Sequence, residues 1–281
     1  MKSPTRAKRE MRPKQIDLSR CFSKKMKMID THTHIYLEEF RDDLEPMLER
    51  AAAAGVAEMY LPAIDSRTHE EMHELEKARP NTCFAMMGLH PCSVKSDYIS
   101  ELNIVKEYFS VRKYVAVGEI GLDYHWDKTF VEEQKKAFRQ QIEWAIEYKI
   151  PISIHSRDAT QAAIEIVGEY LGSGLSGVFH CFGGTVREAE AIIGLGFYLG
   201  IGGVLTYKNS GLAAVLREIP LAKIVLETDA PYLSPVPFRG KRNEPSYMKE
   251  VLVNLAQLYG ISDAEVDMVT SGNAKILFKR N

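Results

Sequence analysis

The sequence predicts one α/β domain of the (β/α)8 barrel type. Eight short apolar segments alternate with longer amphipathic ones from residue 28 onward. Rare polar residues of high chemical versatility fall at the ends of those short segments, where a barrel carries its active site. The 281-residue length also suits a single barrel of this kind. A doubly wound open sheet shares the alternation, because periodicity alone does not close a sheet into a ring.

The strands are read in order as Met28–Asp30, Val56–Leu61, Thr82–Gly88, Tyr114–Val117, Ile152–His155, Gly177–His180, Phe197–Ile201 and Ile224–Glu227. All are rich in Val, Ile and aromatics, as strands covered on both faces should be. Helical periodicity occupies Asp43–Gly55, Thr68–Ala78, Phe130–Tyr148, Asp158–Leu171 and Val186–Leu195. Gly55 stands where a C-terminal cap belongs, and Pro80 follows the second helix as a stop. Two extra helices, Pro245–Tyr259 and Asp263–Phe278, complete the chain. No linker or repeat divides residues 28–281, so they are expected to form one domain behind a basic extension over residues 1–27.

Composition excludes disorder and membrane spans. The chain is 45% hydrophobic and 26% charged, and no apolar run reaches transmembrane length. Its four cysteines, Cys21, Cys83, Cys92 and Cys181, form no C-x-x-C pair and read as reduced thiols of a cytoplasmic protein. The formal net charge of -2 hides a division. Residues 1–27 carry ten Lys/Arg against two acids, a net +8, which leaves −10 on the remainder. The extension lacks an apolar core and so is no secretory signal; it reads as a solvated arm or a basic nucleic-acid-binding one. The acidic body argues against a passive nucleic-acid surface held by charge, though not against an enzyme that meets phosphate through bound metal.

The strand ends carry the chemistry. The first runs into Asp30-Thr31-His32-Thr33-His34, and alternation places both imidazoles on one side. The third leads to His90, the fourth to Glu119, the fifth to His155, the sixth to His180 and the eighth to Asp229. Each alone has a structural explanation, but their joint placement on one rim does not, because buried unpaired polar groups cost free energy. Mixed imidazole and carboxylate ligation suits Zn²⁺, Mn²⁺ or a related divalent ion. His32, His34, Glu119, His155, His180 and Asp229 exceed the needs of one tetrahedral site, so two ions are expected. A carboxylate-bridged pair would activate water and hold the oxygens of a phosphate ester.

Other polar features are less specific. His69 and His73 stand four apart on a helix, but Thr68–Glu74 is polar and reads as a solvated face. His125 follows Asp123 in a loop, and no spacing gives it a role. Arg239, Lys241 and Arg242 follow the eighth strand and suit either a phosphate backbone or acidic neighbours within the fold. The glycines at 183–184 and 200–203 fit either phosphate approach or tight turning. Neither run is a P-loop or dinucleotide fingerprint, so no nucleotide cofactor is expected.

The motifs resemble those of the TatD-type metal-dependent deoxyribonucleases, amidohydrolase-like barrels. The matching segments include MIDTHTH at 28–34, MGLHP at 87–91, VGEIGLDYHW at 117–126 and PISIHSRDA at 151–159. They continue with GVFHCFGGT at 177–185, FYLGIGGVLTYKNS at 197–210, LETDAPYLSP at 226–235, RGKRNEPSYM at 239–248 and GNAKILF at 272–278. The resemblance spans 28–281 in order. It implies that His32 and His34 hold one metal, His155 and His180 the second, and Glu119 bridges them. Asp229 resembles the aspartate that holds the first metal and orients or deprotonates the attacking water, making it and Glu119 the catalytic pair. His90 resembles a cleft residue that contacts the scissile phosphate, with Arg239 and Arg242 as further substrate contacts. The implied reaction is phosphodiester hydrolysis of DNA with Zn²⁺, Mg²⁺ or Mn²⁺, from an end or on single strands. The alternative keeps the metals and changes the bond, as in deacylation of a D-aminoacyl-tRNA. Glu119 stands where many members of the wider superfamily carry a carboxylated lysine, which disfavours hydantoinase-like chemistry.

Overall fold

The computed structural model describes residues 26–279, so nearly all of the basic extension lies outside the described residues. Eight parallel strands form a ring: β1 (Met28–Asp30), β2 (Val56–Leu61), β3 (Cys83–Ala85), β4 (Val117–Gly121), β5 (Ile152–His155), β6 (Gly177–Phe179), β7 (Tyr198–Ile201) and β8 (Ile224–Leu226). They pair in chain order as a three-stranded and a five-stranded arc. Thin seams join the arcs. Met87 bridges to Val117, while at the other seam the Thr31 N–H donates to the Leu226 carbonyl at 3.0 Å. The expected (β/α)8 barrel is therefore the fold.

Helices α1 (Leu44–Ala54), α2 (His69–Ala78), α3 (Tyr98–Val111), α4 (Val131–Tyr148), α5 (Thr160–Gly168), α6 (Val186–Gly194), α7 (Leu212–Leu216) and α8 (Met248–Tyr259) surround the ring. Gly55 ends α1 at φ 96°, a left-handed conformation that favours glycine. Thr185 and Glu188 cap α6 reciprocally, and Ser262 and Glu265 do the same for α9 (Asp263–Leu277). Among the described residues, no helix is long and apolar enough to cross a membrane.

Two apolar cores follow from strand alternation. The larger lies between strands and helices, and the smaller gathers Ile29, Tyr60, Phe84, Met86, Val178 and Val225. Ala274, Leu277 and Phe278 close the smaller core, with the Phe278 ring 3.9 Å from that of Tyr60. The extra C-terminal helix thus stoppers one mouth of the barrel and leaves the other for chemistry. Lys27 already belongs to this structure, since its N–H donates to Asp267 on α9 at 2.9 Å.

Three readings shift. The fourth strand lies at Val117–Gly121, not Tyr114–Val117, and so contains Glu119. Helices α3 and α7 are present beyond those read from periodicity. On α2, His69 is buried with its ring against Tyr108, and His73 is half-buried beside Tyr114. The polar stretch Thr68–Glu74 is therefore no solvated face, because His69, Met72 and Leu75 together form its inner stripe.

Candidate metal centre

Five of the seven rim residues meet around a sixth, the Glu119 carboxylate. β4 delivers Glu119, 1% exposed, into the open mouth of the barrel. Its Oε2 lies 3.0 Å from His32 Nε2 and 3.4 Å from His34 Nε2. Its Oε1 lies 2.8 Å from His180 Nε2, 2.9 Å from His155 Nδ1 and 3.3 Å from His90 Nε2. The seventh residue, Asp229, joins the first group, with Oδ1 at 3.8 Å from His32 Nε2 and 3.7 Å from His34 Nε2. One oxygen of Glu119 thus serves each group.

These spacings fit cations. Ligands about 2.0–2.2 Å from a tetrahedral ion stand about 3.3–3.6 Å apart. The pairs around Oε2 and Asp229 run from 3.0 to 3.8 Å, and His155 Nδ1 lies 3.3 Å from His180 Nε2. The outer ring nitrogens fit the same purpose. His34 Nδ1 lies 3.1 Å from the Tyr36 hydroxyl, which donates to the Pro62 carbonyl and therefore accepts from the imidazole. His155 Nε2–H donates to Asp123 at 2.8 Å, and His32 Nδ1 lies 3.2 Å from the Ser153 hydroxyl. His180 Nδ1 faces Glu227 at 3.6 Å. With the outer nitrogens of His32, His34 and His155 engaged, their inner lone pairs point at the centre, as metal-binding imidazoles require, while His180 Nδ1 has no hydrogen-bond partner within reach among the described residues.

His90 has the opposite tautomer. Its Nδ1 accepts the Cys92 N–H at 3.0 Å, which leaves the proton on Nε2, facing the mouth. That nitrogen is a donor rather than a ligand. His90, Cys92 and His155 also form a cluster with donor atoms in mutual reach.

Electrostatics reinforce the division. Burial alone would raise the Glu119 carboxyl, but His180, His90 and His32 outweigh it and hold the group well below the usual carboxylate range. Burial pushes Asp229 up to about 6, opposed by His180 and His34. Asp229 also adopts a left-handed φ of 56°. Its N–H donates to the His32 carbonyl at 2.9 Å and its carbonyl accepts from Tyr232 at 2.8 Å, so neighbouring loops hold this sparsely populated geometry.

The remaining predicted residues divide. Arg242 forks onto Asp43 at 2.7 and 2.8 Å and covers the Phe40 ring, the structural placement of its two readings. Arg239 is exposed with its guanidinium 4.0 Å above the Tyr207 ring. Gly200 serves packing, since a Cβ there would collide with the Glu227 carboxylate. Tyr36, Ser153, Asp123 and Glu227 behind the imidazoles were given no role from sequence, although the last three lie in motifs that contain or adjoin a candidate ligand. A cavity of ≈ 820 Å³ runs from the centre, lined by His155, His180 and Asp229 at its inner end and by Arg157 and Asp158 farther out. A second of ≈ 730 Å³ opens beside Tyr36 and Tyr232.

Comparison with known proteins gives a consistent result. A family model described as TatD related DNase matches residues 29–279. An uncharacterized metal-dependent hydrolase, YabD of Bacillus subtilis (strain 168), is 40% identical over 255 residues, covering 90% of this chain and 100% of that protein. The 3'-5' ssDNA/RNA exonuclease TatD of Escherichia fergusonii is 33% identical and covers 89% of this chain and 98% of its own. Among solved structures, YjjV, a TatD homolog from Escherichia coli K12, superposes with a TM-score of 0.85 at 31% identity, over 90% of this chain and 98% of the other.

Proposed function

The chain belongs to the TatD-related DNase family and is a metal-dependent hydrolase, and from that premise we propose that it hydrolyses phosphodiester bonds in single-stranded DNA or RNA, working from an end. The observation that carries the reading is Glu119, whose two oxygens face separate groups of imidazoles at the open mouth of the barrel. His32, His34 and Asp229 would hold one divalent cation and His155 and His180 the other, with Glu119 between them. Cations at these positions supply Lewis acidity, neutralising phosphate charge and acidifying nearby water.

The chain's own groups do the rest. Glu119 stays ionised against burial because imidazoles surround it. Asp229, beside His32 and His34, accepts the proton of the attacking water at its carboxylate. His90 donates from Nε2 to a phosphate oxygen, the role its tautomer permits. Arg239, exposed at the rim, adds a charge for the backbone. The relative's activity on single-stranded DNA and RNA supports the substrate class.

The test is turnover of single-stranded DNA, single-stranded RNA, duplex DNA and a D-aminoacyl-tRNA side by side, with Mg²⁺, Mn²⁺ and Zn²⁺ in turn. The reading expects mononucleotides released from the single strands. Clearance of the aminoacyl ester with the nucleic acids left intact would overturn it.

A further inference from the structure

The loop that leaves β4 carries an aromatic that no part of the hydrolytic machinery uses. Trp126 is 70% exposed, whereas Trp144, the second of the chain's two tryptophans, is 7% exposed. An indole exposed to this extent is open to stacking on an incoming partner. Its immediate neighbours are cationic or aromatic. The Arg157 guanidinium lies 5.3 Å from the Trp126 ring centre, and the His125 ring meets it edge-on at 4.9 Å. Arg157 Nη2 is also 3.2 Å from His125 Nε2, so the three side chains form one cluster.

This cluster is tied to the metal centre through a single carboxylate. The N–H groups of His125 and Trp126 both donate to Asp123 Oδ1, each at 2.9 Å. The other oxygen of Asp123 accepts from His155 at 2.8 Å. The backbone that carries Trp126 is thus anchored one residue from a candidate ligand. Arg157 in turn lines the ≈ 820 Å³ cavity that has His155, His180 and Asp229 at its inner end.

We propose that Trp126, backed by Arg157, is a stacking platform for an unpaired base of the nucleic-acid strand that enters along this cavity. The inference rests on the phosphodiesterase reading above and adds how the strand is gripped. A flat ring backed by a guanidinium accepts any base face, because every base has one, and the adjacent cation meets the backbone phosphate. Bases within a duplex are already stacked on both faces, so the platform rejects them. Preference for single strands and tolerance of sequence then have a common cause.

Trp126 also reports on itself, being the exposed one of two tryptophans. The experiment titrates the metal-loaded enzyme with a phosphorothioate-linked single-stranded oligonucleotide, which resists cleavage, and follows tryptophan fluorescence. In parallel, anisotropy of a labelled copy measures binding to wild type and to Trp126→Ala. Saturable quenching is expected with the single strand, little with the same sequence as a duplex, and none in Trp126→Phe. Trp126→Ala should bind about tenfold more weakly, while its turnover of bis(p-nitrophenyl) phosphate, which is too small to reach the ring, stays unchanged. Binding and cleavage of the strand with unmoved fluorescence and equal affinity in Trp126→Ala would overturn the platform and leave the hydrolytic reading standing. A strand neither bound nor cleaved would overturn both.

Discussion

His32, His34 and His155 are each specified twice, once by the nitrogen facing Glu119 and once by the hydrogen-bond partner behind it. Tyr36 shows the second specification most clearly: its hydroxyl donates to Pro62 and so must accept from His34 Nδ1. Tyr36→Phe removes that acceptor while keeping the ring. Cation affinity should fall about tenfold, measured by competition with a chromogenic chelator. Unchanged affinity would mean that the His34 tautomer is set elsewhere. His32 and His34 were legible because alternation alone puts them together, and His155, His180 and Asp229 because they end apolar runs. Tyr36 and Ser153 were not, since a hydroxyl behind a ligand leaves no local signal in a sequence. The division of Arg239 from Arg242 was equally hidden. It depends on Asp43, which lies 199 residues away in the chain from Arg242.

At the scale of elements, sequence reading worked where apolar residues are segregated and failed where they are not. β2 and β5 fall where periodicity puts them. α3 escaped because Ile99 and Val111 remain 59% and 76% exposed while Leu102, Val105 and Phe109 turn inward, so its apolar residues ring the helix. α2 misled in the opposite sense, because two histidines and four acids hide a buried stripe. That stripe has a consequence for stability. Burial, aided by the nearby Arg112 charge, lowers His73 from 6.5 to about 4. Its neutral form is therefore favoured by folding, and the stability it lends is complete above about pH 6.5. As pH falls from there toward 4, the unfolded chain takes up the proton first and that stability is lost. Wild type should lose roughly 1–3 kcal/mol more than His73→Gln over this window, read from urea midpoints at successive pH values. Parallel curves for the two proteins would contradict the assignment.

For the whole molecule, the alternation of strands and helices announced a barrel but not its closure. Two thin seams between the arcs carry that information, and each depends on partners distant in the chain. The charge division also acquires a local meaning. An acidic body is compatible with a nucleic-acid substrate when Glu119 and Asp229 are acids that hold cations, and Arg157 and Arg239 stand at the rim. The +8 charge of residues 1–27 falls almost wholly outside the described residues. Deleting residues 1–25 should leave turnover of short oligonucleotides unchanged and weaken binding to long DNA, with a shallower salt dependence; loss of hydrolysis itself would show that the segment takes part in the chemistry. The central claim is that one carboxylate organises two cation sites into a phosphodiesterase. Its most direct test is the rate of nucleotide release from single-stranded DNA by wild type and Glu119→Ala at equal concentration and equal Mn²⁺. The account predicts a loss of about 10³-fold or more in the variant, with circular dichroism unchanged; a folded Glu119→Ala protein that retains the wild-type rate would contradict it.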